Sequence, residues 1–101
     1  MIARAALAGA VMLMTVPFAH AGPIDSACVR SDRGARNAAL CGCVQQVANM
    51  TLSNADQRRA ATFFRDPHKA QVVRMSKTGA DNAFWARYKR FTDTAQSYCA
   101  R

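Results

Sequence analysis

The chain has 101 residues, half of them hydrophobic, with 14 Lys and Arg against 6 acids and a formal net charge of +8. That length allows one domain at most, and a chain this short commonly needs cross-links or a metal to hold its core. Every acid is Asp and only two residues are His, so there is little material for acid–base catalysis or a histidine-rich metal site.

The N-terminus reads MIARAALAGAVMLMTVPFAHAGPID. Arg4 gives a short positive leader, residues 5–16 form an uncharged apolar run, and Pro17 breaks it. Ala19-His20-Ala21 then supplies the small residues a signal peptidase needs. This is the pattern of a secretory signal peptide over residues 1–21, cleaved after Ala21. The apolar run is too short for a bilayer span, which takes about 20 residues. A lipid anchor on Cys28 is not expected, because Asp25 stands where lipoprotein signals carry an aliphatic residue. The expected mature protein, residues 22–101, carries +7 once Arg4 is removed. It has no transmembrane span and is periplasmic or secreted.

Residues 22–36, GPIDSACVRSDRGAR, are polar with two glycines and read as an N-terminal arm with one short turn around Cys28. The remainder, residues 37–101, is expected to form one helical, disulfide-stapled domain. A first helix runs over about residues 37–52, with Leu40, Val44, Val47 and Thr51 at the spacing of one buried stripe. Ser53-Asn54-Ala55-Asp56 is an S-x-x-D start for a second helix, which reaches about Arg65. Asp66-Pro67 forces a junction, with Asp suited to the cap and Pro to the first turn of a third helix over about residues 67–76. Gly79 is placed to end that helix in a left-handed cap. Asp81 is expected to cap a fourth helix, on which Phe84, Tyr88, Phe91, Ala95 and Tyr98 form a packing seam. The fold class is all-α: a small bundle of three to four helices with two disulfides.

Cys28, Cys41, Cys43 and Cys99 all lie in the expected mature part, and an even count in a small exported chain favours a disulfide framework. On a helix, Cys41 and Cys43 point about 200° apart, so each is suited to a different partner. Three pairings are open. Bridges from Cys41 and Cys43 to Cys28 and Cys99, whichever partner each takes, tie both chain ends to the first long helix; of the possible pairings, Cys28–Cys41 with Cys43–Cys99 is the one favoured. A redox pair would need an exposed thiolate at a helix N-terminus. A zinc site would want paired C-x-x-C knuckles, and c-type haem a C-x-x-C-H. The sequence therefore implies no metal and no cofactor.

His68 is the one His of the mature part and reads as a surface or capping residue. No nucleophile stands with a base and an orienting group, so the chain reads as a non-enzyme. FWARYKRF, residues 84–91, interleaves aromatics with Arg87, Lys89 and Arg90. Together with Arg58, Arg59 and Arg65 on the second helix, these make a candidate surface for an anionic partner. An exported protein rarely meets nucleic acid, so none is expected. Trp85 lies beside the aromatic seam and is the candidate docking residue.

The segments CGCVQQVA, FFRDPHKAQ followed by VRMS, and FWARYKRF before a C-terminal Cys resemble a group of short exported proteins of marine and photosynthetic alphaproteobacteria. The resemblance covers nearly the whole mature chain. Labels within that group include "arginine transporter", which implies at most an accessory solute-binding role here, since a transporter needs spanning segments. The leading expectation is an interaction or accessory module for anionic envelope components or a protein partner. The alternatives are a thiol–disulfide protein using Cys41 and Cys43, and solute binding beside a transporter.

Overall fold

A computed structural model describes residues 22–31 and 37–99. The expected signal peptide lies outside the described residues, as does most of the second half of the expected arm. Five helices and no strand occur among them: α1 (Pro23–Arg30), α2 (Ala38–Thr51), α3 (Asn54–Arg65), α4 (Pro67–Met75) and α5 (Gly79–Cys99). The all-α, doubly bridged fold is as the sequence predicts, with one helix more.

That extra helix corrects the reading of an arm. Pro23 pre-sets the first turn of α1, Asp25 lies near its positive end and Arg30 near its negative end. Ile24 and Cys28, one turn apart, both face the core, and Ile24 is fully buried. The helix packs against α2 and α3. Gly22 precedes it where the side-chain amide of Gln45 fills the space a Cβ would need, so the chain can enter α1 only because no side chain is present there.

The helix starts follow local chemistry. Asn37 caps α2, its Oδ1 accepting from Leu40 N at 3.0 Å. Ser53 caps α3 as expected, accepting from Asp56 N at 3.1 Å. Asp66 occupies the junction of α3 and α4, but its side chain makes no capping hydrogen bond to α4. The start of α5 differs from expectation. Thr78, not Asp81, is the cap: its Oγ1 accepts from Asp81 N at 3.1 Å and its carbonyl from Asn82 N. Gly79 accordingly opens α5 instead of closing α4, which ends at Met75. The three added residues bring α5 to 21, about 31 Å of helix.

Two disulfides fasten both ends of the described chain to α2. Cys28–Cys41 joins α1 to α2 with a Cα–Cα distance of 5.6 Å, and Cys43–Cys99 joins α2 to α5 at 5.8 Å. This is the favoured pairing, and it leaves no free cysteine among the described residues. Such bridges fit an oxidising, extracytoplasmic environment. No described helix is long and apolar enough to cross a membrane.

The core gathers Ile24, Val47, Leu52, Ala60, Phe63, Val73, Phe84 and Phe91 from all five helices and the α2–α3 turn. The buried face of α2 is rotated from the expected stripe. Cys41, Gln45, Val47 and Ala48 are buried, while Leu40, Val44 and Thr51 are only half-buried. Burial of Gln45 is tolerated because its amide is fully partnered. Its Oε1 accepts from Asp25 N at 2.8 Å, and its Nε2 donates to Asn49 Oδ1 at 2.8 Å and Gln57 Oε1 at 2.7 Å. Gln57, also buried, donates to the Ala48 and Leu52 carbonyls at the end of α2. These two amides join α1, α2 and α3 where no apolar contact could satisfy the backbone groups.

Gly42 lies inside α2 with nothing within 4 Å of an added Cβ. Gly42→Ala is expected to raise the unfolding free energy by about 0.5–1 kcal/mol through reduced freedom of the unfolded chain. A urea melt that shows no gain would mean that the helix is not regular at that point.

Candidate functional site

The aromatic seam of α5 is arranged much as its spacing predicts. Phe84 and Phe91 are buried, and Tyr88 and Ala95 pack against the core. Tyr98 departs from the expectation: it is 63% exposed, and Cys99 takes the last inward position. Tyr88 stands in an aromatic cluster, edge-on to Phe63 with ring centroids 5.2 Å apart and stacked on Phe84 at 6.0 Å. Burial pushes its phenol above the usual tyrosine range. Trp85, expected as a docking residue, is half-buried and leans on Tyr88 at 5.1 Å; it is part of the packing at the edge of this cluster.

The six candidate cations divide into two kinds. Arg59 of α3 binds Asp81 of α5 at 2.7 Å, and Arg87 of α5 binds Asp56 of α3 through two hydrogen bonds, at 2.6 and 3.1 Å. The Arg59 hydrogen bond, aided by that of Ser76, holds the Asp81 carboxyl below its ordinary value. The Asp56 hydrogen bonds raise Arg87. Both guanidinium groups lie over the Phe84 ring, at 4.6 and 6.0 Å. Arg59 and Arg87 thus seal the α3–α5 seam and are not available as unpaired surface charge.

Arg58, Arg65, Lys89 and Arg90 are exposed and make no ion pair among the described residues. Arg58 and Arg65 are seven residues apart on the outward side of α3. Lys89 and Arg90 lie on the outward side of α5, with Asp93 following at helical spacing. Sequence reasoning missed four further exposed cations among the described residues, Arg30, Lys69, Arg74 and Lys77, and three of them cluster on and beyond α4. The signal was present: residues 65–77 hold four cations and one acid, Asp66. On the outer face of α4, Val72 and Met75 are 57% and 71% exposed. His68 is exposed on the same helix.

A concavity lies elsewhere. Helices α2 and α3 are joined through Gln45 and Gln57 at one end but do not lie against each other along their lengths. Helix α1 fits between them and ends at Ser31, where a groove of about 660 Å³ begins. Middle turns of α5 contribute Tyr88, Phe91 and Ala95 to its lining; Leu40 and Val44 come from α2, and Phe64 from α3. Of these only Phe91 is fully buried, so five half-exposed apolar side chains face one opening. Arg65 is the charged residue in the lining. A groove with apolar walls and one cation has the composition of a binding site for an amphipathic ligand and supplies no nucleophile–base pair for catalysis.

No family model matches the chain, and neither a curated protein nor a solved structure matches it.

Proposed function

We propose that this chain is an exported, non-enzymatic interaction module of the periplasm, cleaved after Ala21, which meets anionic envelope components through its exposed cations. The observation that carries the reading is the separation of the cations. Arg59 and Arg87 are consumed within the fold, whereas Arg58, Arg65, Lys89 and Arg90 remain solvated and unpaired among the described residues. Unpaired surface charge adds little to stability but raises the rate and affinity of meeting an opposite charge. The thiol–disulfide alternative requires an exposed, reactive thiolate, whereas Cys41 and Cys43 are both held in bridges, Cys41 fully buried and Cys43 half-buried. An arginine-binding role is disfavoured by the charge of the groove, whose lining carries a cation and no acid.

Co-sedimentation with vesicles of phosphatidylcholine and phosphatidylglycerol tests the reading. Binding is expected at low salt, is expected to fall steeply as salt screens the surface, and should vanish in the triple variant R58E/K89E/R90E. No binding to anionic vesicles at low salt removes the anionic partner from the proposal. An intact mass of protein recovered from the periplasm tests export in the same preparation. The expected product lacks residues 1–21 and, with two bridges, takes up thiol label only after reduction.

A further inference from the structure

We propose that the groove between α2, α3 and α5 binds one molecule of a long-chain fatty acid, its chain along Val44, Phe64 and Ala95 and its carboxylate beside Arg65. The inference goes beyond the proposed surface interaction and does not depend on Arg58, Lys89 or Arg90. It starts from an energetic oddity. Val44, Phe64, Tyr88 and Ala95 pack against the core, yet each remains half-exposed around one opening, with Leu40 beside them. Covering such surface gains roughly 25 cal/mol per Å², and a volume of about 660 Å³ lies within the range of small-molecule sites.

The polar groups select the occupant. Arg65 is exposed and unpaired among the described residues, and it is the charged residue of the lining. Asp66, its neighbour in sequence, is outside the lining. Tyr88 shares the wall, and its hydroxyl, a neutral donor, makes no hydrogen bond among the described residues. A cation and a neutral donor beside an apolar trough suit an anion with an aliphatic tail. An aliphatic chain also brings no backbone groups that the apolar part of the wall, Val44, Phe64 and Ala95, would leave unsatisfied. A second copy of the chain is a poorer occupant. It would bring another strongly basic surface, with its own Arg65, against the first.

Dibromostearate is a suitable probe, because bromine quenches tryptophan at short range. Trp85 is the only tryptophan, and its ring centroid lies 5.1 Å from that of Tyr88 in the groove wall. Saturable quenching with a stoichiometry of one, below the concentration at which the acid forms micelles, is the expected result. Ala95→Phe and Val44→Phe, each placed to fill the trough, should each abolish it while circular dichroism and vesicle binding stay unchanged. Arg65→Gln should weaken the acid about tenfold, the scale of one charge-assisted hydrogen bond, and leave the uncharged methyl ester unaffected. R58E/K89E/R90E should lose the vesicles and keep the fatty acid, which separates failure of one proposal from failure of the other. The inference is overturned by quenching that appears only with micelles, by equal binding in both filled variants, or by a concentration-dependent dimer that excludes the probe. Tighter binding of an amphipathic peptide than of stearate overturns it as well.

Discussion

Replacing Cys43 and Cys99 together by serine is expected to lower the unfolding free energy by about 4 kcal/mol. The bridge spans 56 residues of sequence, so its removal releases most of the folded chain in the unfolded state, where a closed loop of that size restricts conformational freedom strongly. A domain of this size has a total stability of the same order, since roughly 0.05–0.15 kcal/mol per residue is typical. The double variant should therefore be largely unfolded under conditions where the parent is folded, and circular dichroism in a urea series reads the difference directly. The Cys28–Cys41 bridge spans only 13 residues, and its loss should cost about 3 kcal/mol by the same reasoning. It also secures α1, whose eight residues are too few to be helical alone. The two variants should differ in kind. Loss of Cys43–Cys99 should act as a global loss of stability, whereas loss of Cys28–Cys41 should expose α1 amides to hydrogen exchange first. Both bridges leaving stability unchanged would remove their structural role and revive thiol chemistry.

How far the sequence reaches is clearest at α1. Its only core contacts are Ile24 and Cys28, and two positions are too few to produce a periodic signal. What makes it a helix is external: a disulfide, the Gln45 amide on Asp25 N and the surface of α2 and α3. The four longer elements were legible because each carries its own punctuation, Ser53 and Pro67 above all. The start of α5 misled because Thr78 and Asp81 are both capping residues three apart, and only the hydrogen-bond geometry shows that Thr78 takes the role. Gln45 and Gln57 could not be placed in the core by hydropathy, since their burial depends on partners supplied by three separate segments.

The candidate site was partly legible for a related reason. Helical spacing correctly assigns Lys89 and Arg90 to the outside of α5. It cannot detect that Arg59 and Arg87 meet acids 22 and 31 residues away in sequence. The groove leaves still less trace. Val44, Tyr88 and Ala95 have the spacing of core residues, and their partial exposure goes with the groove they line, which depends on how separate helices come together.

Phe84→Ala is the substitution expected to damage the core most, by about 4 kcal/mol. Phe84 is the largest fully buried side chain among the described residues, at 1% exposure, and it lies beneath the ion pairs of the α3–α5 seam. Asp81 holds Arg59 at 2.7 Å, Arg59 lies 4.6 Å from the ring centroid, and Arg87, held by Asp56, lies 6.0 Å from it. The carboxylates fix the guanidinium groups where the negative face of the ring can attract them. Truncation to Ala leaves a cavity and removes this contact at once, so the two contributions need separating. Phe84→Leu keeps most of the apolar volume and discards the ring, and should cost about 2 kcal/mol, reflecting altered packing and lost cation and aromatic contacts. Arg59→Gln in the parent should then be more costly than Arg59→Gln in the Phe84→Leu background, by about 0.5–1 kcal/mol. Thermal or urea unfolding of the four proteins in that cycle measures the difference. Strict additivity would mean that the guanidinium only spans the two helices to reach Asp81, and that the ring beneath it contributes through burial alone.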